Sequence, residues 1–156
     1  MTVTEHPLER IPVFVDASVW IAAAASPTGG SSLVLEVCRG KRFAASCSQR
    51  VLLGAQQNIR DKMTTHEMAR FYQLLAAASP SLVPPVAAEA EIQYEEIVGL
   101  KDAHVVAAAV HGEAEFLVTL GRKHLANERV RAAGLPLEML TPGEFIRLIL
   151  AEHPVP

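Results

Sequence analysis

Short apolar runs alternate with segments of helical periodicity along most of this chain, and that alternation constrains the fold more than any other feature. Residues 11–16 (IPVFVD) form a β-branched apolar run ending in a carboxylate, which reads as a buried strand that delivers Asp16 at its C-terminal end. Residues 42–46, 81–83, 115–119 and 137–140 give further strand signals. Helical patterns fill the intervals: 17–25; a helix capped by Ser31 or Ser32 and stopped by Gly40; 48–63 with Val51, Leu52, Ala55 and Ile59 in period; and 65–78 with Met68, Phe71, Leu74 and Leu75. Further helices are expected over 86–94, 101–111 and 122–133, with Gly134 as the stop, and from a Thr141 cap to about residue 152. Parallel strands need crossover connections and helices supply them. The pattern therefore predicts a three-layer α/β/α sandwich around a central parallel sheet of four or five strands, with the first strand lying centrally. Ligands bind such sheets beyond the C-terminal strand ends, which singles out Asp16 and the turn after Thr119.

The chain has 156 residues, half of them hydrophobic, which fits a single domain with an ordered core over about 11–152. Its apolar stretches are interrupted before they reach a membrane-spanning length of ~18 residues. Glu5, Pro7 and Glu9 stand where a signal peptide would be basic and then apolar, so a cytoplasmic protein is expected. Cys38 and Cys47 lack metal-ligand spacing and read as buried thiols. A net charge of −3 provides no general basic field, so any contact with nucleic acid has to be local. The local clusters are Arg39, Lys41 and Arg42; Arg50, Arg60 and Lys62; and Arg122 with Lys123, each of which also reads as an ordinary solvated face.

Asp16 alone reads as a cap on the helix that follows it. Its context is more specific. The string VFVDASVWIAAAASPTGG resembles the opening of PIN domains, in which a strand ends in Asp, a small residue, and then Ser, Thr or Asn. LKDAHVVAAAVHGEAEFLVTLGRKHL resembles the second half of the family, where a carboxylate opens a helix and the next strand runs into a V-T-x-D turn. LEMLTPGEF is similar to its closing strand, cap and helix. What the resemblance implies is a nuclease site of three or four carboxylates around Mg²⁺ or Mn²⁺, since hard cations take oxygen ligands and activate water for attack on phosphate. Asp16 and Asp102 match the family's acids, and Ser18 matches its hydroxyl.

Two positions depart from that pattern. Val118, Thr119 and Leu120 lead to Gly121 where the family has Asp, followed by Arg122, Lys123 and His124 as candidate RNA contacts. In the helix over 48–63, Gly54 stands at the place implied for a Glu ahead of Asn58 and Ile59. Glycine in a helix interior costs ~1 kcal/mol against alanine, so Gly54 needs a close backbone contact to justify it on folding grounds. With two acids replaced, Mg²⁺ or Mn²⁺ is expected to bind weakly if at all. Glu95 and Glu96 read as exposed, His104 as partly buried or on the surface, and Trp20 as core or interface.

The resemblance thus implies a relative of the VapC-type endoribonuclease toxins of toxin-antitoxin pairs, with a degenerate site and reduced or absent cleavage. The alternative is a non-catalytic RNA-binding or protein-interaction module on the same fold. RNA and an antitoxin-like protein are the partners this implies. A homodimer is also expected, because Trp20, Phe71 and Tyr72 lie on helical faces. A phospho-acceptor domain built on Asp16 lacks the adjacent acids before the strand, and a D-x-D phosphatase fails because residue 18 is serine.

Overall fold

A computed structural model describes residues 9–152, so Glu5 and Pro7, two of the residues expected to argue against export, lie outside the described residues. In chain order the elements are β1 (Ile11–Val15), α1 (Ala17–Ala25), α2 (Gly30–Val37), β2 (Phe43–Ser48), α3 (Gln49–Lys62), α4 (Thr65–Ala78) and β3 (Ser81–Val83). They continue as α5 (Ala88–Ile92), α6 (Glu95–Val98), α7 (Ala103–His111), β4 (Phe116–Val118), α8 (Glu128–Arg131), β5 (Glu138–Leu140) and α9 (Pro142–Glu152). The five strands form one sheet in the order β3-β2-β1-β4-β5, every neighbouring pair parallel. Helices flank it, giving the expected α/β/α sandwich with β1 at its centre.

The register fixes the site. Val15 pairs with Val118, and the amide of Asp16 donates to the Val118 carbonyl at 3.1 Å, so the ends of β1 and β4 emerge side by side. Val13, Phe14 and Val15 are buried on both faces, as a central parallel strand requires. Trp20 is fully buried, its indole N–H donates to the Val15 carbonyl at 3.2 Å, and its ring meets Phe71 edge-on at 6.3 Å. Trp20 and Phe71 therefore belong to the core of the protomer and cannot form a dimer face; Tyr72, about half exposed, remains available. Cys38 and Cys47 are buried free thiols, and burial pushes both up to about 12. Among the described residues no helix is long and apolar enough to cross a membrane.

Three local expectations are corrected. The cap of α2 is Gly29, because the Ser32 hydroxyl turns back to donate to the carbonyls of Ser26 and Ala23 at 2.6 and 3.2 Å. The helix expected over 122–133 shrinks to α8. Asn127 interrupts it by donating to the carbonyls of Arg122 and Lys123 while its Oδ1 accepts the Val130 amide, so the side chain competes with the helical bonds. The helix expected over 86–94 is reduced to α5, after the two prolines at 84 and 85. By contrast, Thr141 and Glu144 exchange capping bonds at 3.0 and 3.2 Å, and α9 begins where expected.

Candidate functional site

β1 ends at Val15 and the chain turns directly into α1, which leaves Asp16 at the N-terminal edge of that helix. Its carboxylate makes no capping bond there. Instead Oδ2 accepts the hydroxyl of Thr119 at 2.7 Å and that of Ser18 at 3.1 Å. Ser18 is held in turn by the Leu120 amide, which donates to its Oγ at 3.0 Å, and the Gly121 amide donates to the Thr119 Oγ at the same distance. The turn after β4 thus clamps Asp16 through two hydroxyls. Thr119 is fully buried and ends the V-T pair of that strand run; its part in the clamp was not read from sequence, although a hydroxyl placed beside the strand that ends in Asp16 was a usable signal.

Asp102 precedes α7 and also makes no side-chain capping bond. A cavity of about 770 Å³ at the C-terminal ends of the strands is lined by Asp16, Asp102 and Gly54, with Lys101, Arg50 and His104 on its walls. Burial raises the Asp102 pKa above the ordinary carboxylate range, and the negative charge of Asp16 adds to the rise, against weaker opposing effects of His124, Lys101 and His104. His104 is lowered, chiefly by burial and then by the charge of Arg50.

The two glycines have different surroundings. A Cβ on Gly54 would meet nothing within 4 Å, so no close backbone approach requires glycine in this helix. A Cβ on Gly121 would lie 3.3 Å from the Thr119 Oγ, the atom that holds Asp16. Arg122, Lys123 and His124 are exposed on the turn that follows. Of these, His124 is near enough for its charge to act on Asp102. Glu95 is half-buried and Glu96 exposed. Arg39 pairs with Glu36 at 3.1 Å, and Arg42 pairs with Glu152 at 2.6 Å and lies over the Phe43 ring, which accounts for two of the three cations in that cluster.

The two carboxylates that line the cavity, Asp16 and Asp102, offer oxygen ligands, the chemistry preferred by Mg²⁺ and Mn²⁺. Burial is the larger cause of the upward shift of Asp102 and the charge of Asp16 the second, and a cation would relieve the second. Among the described residues no group of three or more His, Cys, Asp and Glu comes together as a ready metal cluster. Asp16 and Asp102 are the two residues here that could serve a divalent ion as ligands, with water completing its shell.

Comparison with known proteins gives a consistent picture. A family model described as the PIN domain matches residues 12–123. The structure of VapBC2 from Rickettsia felis bound to a DNA fragment from its promoter is similar at a TM-score of 0.59 and 15% identity, covering 84% of this chain and 98% of that one. The structure of VapC20 from Mycobacterium tuberculosis, described as a sarcin-ricin loop cleaving toxin, gives a TM-score of 0.48 and 19% identity, covering 79% and 95%. At 15% identity the likeness to the VapBC2 structure speaks to fold alone. Comparison with curated protein sequences returned no match.

Proposed function

Because this chain belongs to the PIN-domain family, we propose that its acidic groove binds RNA and a divalent cation, and that its ribonuclease activity is weak or lost through the absence of two acidic ligands. The observation that carries this reading is the shared lining of one cavity by Asp16, Asp102 and an unencumbered Gly54. Asp16 and Asp102 are the residues that would hold Mg²⁺ or Mn²⁺, which when bound supplies an activated water and neutralises charge on the phosphate. Ser18 and Thr119 fix the Asp16 carboxylate, while Lys101 and Arg50 bring positive charge to the walls where a phosphate backbone would lie. Arg122, Lys123 and His124 extend that positive edge along the turn after β4. Two acids fewer means a looser ion and a less fixed water, and metal-assisted hydrolysis depends on fixed geometry.

The test is constructive. Gly54→Glu with Gly121→Asp is expected to raise Mn²⁺ affinity and to create or increase cleavage of single-stranded RNA, and adding Asp16→Asn is expected to abolish the gain. Strong Mg²⁺-dependent cleavage by the unaltered protein that survives Asp16→Asn would overturn the assignment.

The second reading is a non-catalytic module whose partner is RNA or an antitoxin-like protein. It is supported by exposed leucines beside the acids: Leu53 on the cavity wall and Leu100, 77% exposed, next to Lys101. No gain from the double change would favour it. Homodimer formation is proposed on the exposed Tyr72, and light scattering near 17 kDa over a wide concentration range would refute it.

A further inference from the structure

A second cavity, of about 350 Å³, lies beside the acidic groove and is lined by neither Asp16 nor Asp102. Its size falls within the ~300–1,000 Å³ range of small-molecule sites. Pro84, Pro85 and Val86, on the segment between β3 and α5, give it an apolar wall that the two proline rings stiffen. Arg50 and Glu91 also line it, their side chains 3.8 Å apart with Arg50 66% exposed, which makes a loose ion pair worth little to the fold. Gln49, Arg50 and His104 line this cavity and the acidic groove alike, so the two are neighbours with a shared wall.

We propose that this cavity is a subsite for a guanosine monophosphate unit, with the base against the proline wall and the phosphate at Arg50, on the side facing the acidic groove. The chemistry follows from the lining. A flat ring suits an apolar wall, and base stacking or packing is a main source of single-strand affinity. Glu91 accepts hydrogen bonds, and guanine presents two adjacent N–H donors, N1 and N2, to one carboxylate, whereas the other bases present fewer on that edge. The guanidinium of Arg50 suits the phosphate oxygens. Ligand binding exchanges the loose Arg50–Glu91 contact for two better-matched ones. As a flanking-nucleotide site on an RNA strand, the subsite rests on the reading of the groove as RNA-binding; as a nucleotide site it does not.

Equilibrium binding of GMP, AMP, CMP and UMP to the full chain, without added metal, tests it. GMP is expected to bind tightest, and Glu91→Gln to reduce that preference about ten-fold. Val86→Trp, which fills the cavity from its rim, is expected to abolish binding of all four while leaving Mn²⁺ binding in the groove unchanged. A guanine-containing single-stranded RNA that binds more tightly than GMP, and is weakened by the same two variants, identifies a strand as the ligand. Equal affinities identify a free nucleotide. Absence of GMP preference, or nucleotide binding indifferent to both Glu91→Gln and Val86→Trp, overturns the proposal. Failure of the Gly54→Glu and Gly121→Asp gain would count against the catalytic reading of the groove and leave GMP binding where it was, so the two fail separately.

Discussion

The strand-end side of the groove and its helical wall hold their carboxylates on opposite terms. At the strand ends, Asp16 is gripped by two hydroxyls, each steadied by a backbone amide of the turn after β4. On the wall, Asp102 makes no capping bond and is disfavoured as a charge by burial and by Asp16, while Gly54 offers no side chain at all. One side is organised in advance and the other is open. Under the proposed reading, the difference separates two requirements of a metal site: the first acid is positioned by its neighbours, whereas the helical wall adds no carboxylate at Gly54.

The largest effect is therefore expected from the open side. Residues that only hold a metal's ligands in place are worth ~10–100-fold in affinity, so a carboxylate added directly at the ion by Gly54→Glu should raise Mn²⁺ affinity by about 100-fold, measured by calorimetry. Gly121→Asp alone should give much less. Its Cβ crowds the Thr119 Oγ at 3.3 Å, and disturbing that atom loosens Asp16. If the two single changes give equal gains, the contrast between the two sides fails.

On the organised side, Thr119→Val removes a buried hydroxyl that donates to a carboxylate. It is expected to lower stability by about 1.5 kcal/mol in denaturant unfolding and to reduce Mn²⁺ affinity about ten-fold. Ser18→Ala, at a longer and more exposed bond, should cost about 0.5–1 kcal/mol.

The smallest effect concerns Asp102→Asn. The raised pKa means that the folded protein keeps this proton to higher pH than the unfolded chain does. Stability from this source therefore falls as pH rises from the ordinary carboxylate range through the raised value. The Asn variant should lose that decline and melt slightly higher at neutral pH, although it loses a proposed metal ligand. A lower melting temperature at pH 7 would show that Asp102 is held by contacts and not merely tolerated.

Much of this arrangement was legible in the sequence where a local signal had no competitor. α4 begins after Thr64, whose amide and hydroxyl both donate to Glu67, and the Thr-x-x-Glu pattern announces that start. Asp16 could be placed because a buried strand has to end beside its neighbours. What was not legible depended on side chains with two uses. Asn127 could equally continue a helix or interrupt one, and Ser32 could equally cap or fold back. At the site, the sequence could nominate Gly54 but not tell whether its missing side chain left open space or a tight contact. It also left Thr119 inside a strand pattern, since its use depends on register across the sheet.

The central position of β1 has a consequence in time. Val13 pairs with Phe116, so the first strand made cannot complete its hydrogen bonds until the fourth has been synthesised. A ribosome adds ~5–20 residues per second, so roughly 5–20 s separate the emergence of Asp16 from that of Thr119, the residue that clamps it. Such long-range parallel pairing also slows folding itself. The nascent chain therefore carries Asp16 long before it can hold that carboxylate in place, and any activity the groove supports begins only after Thr119 has emerged.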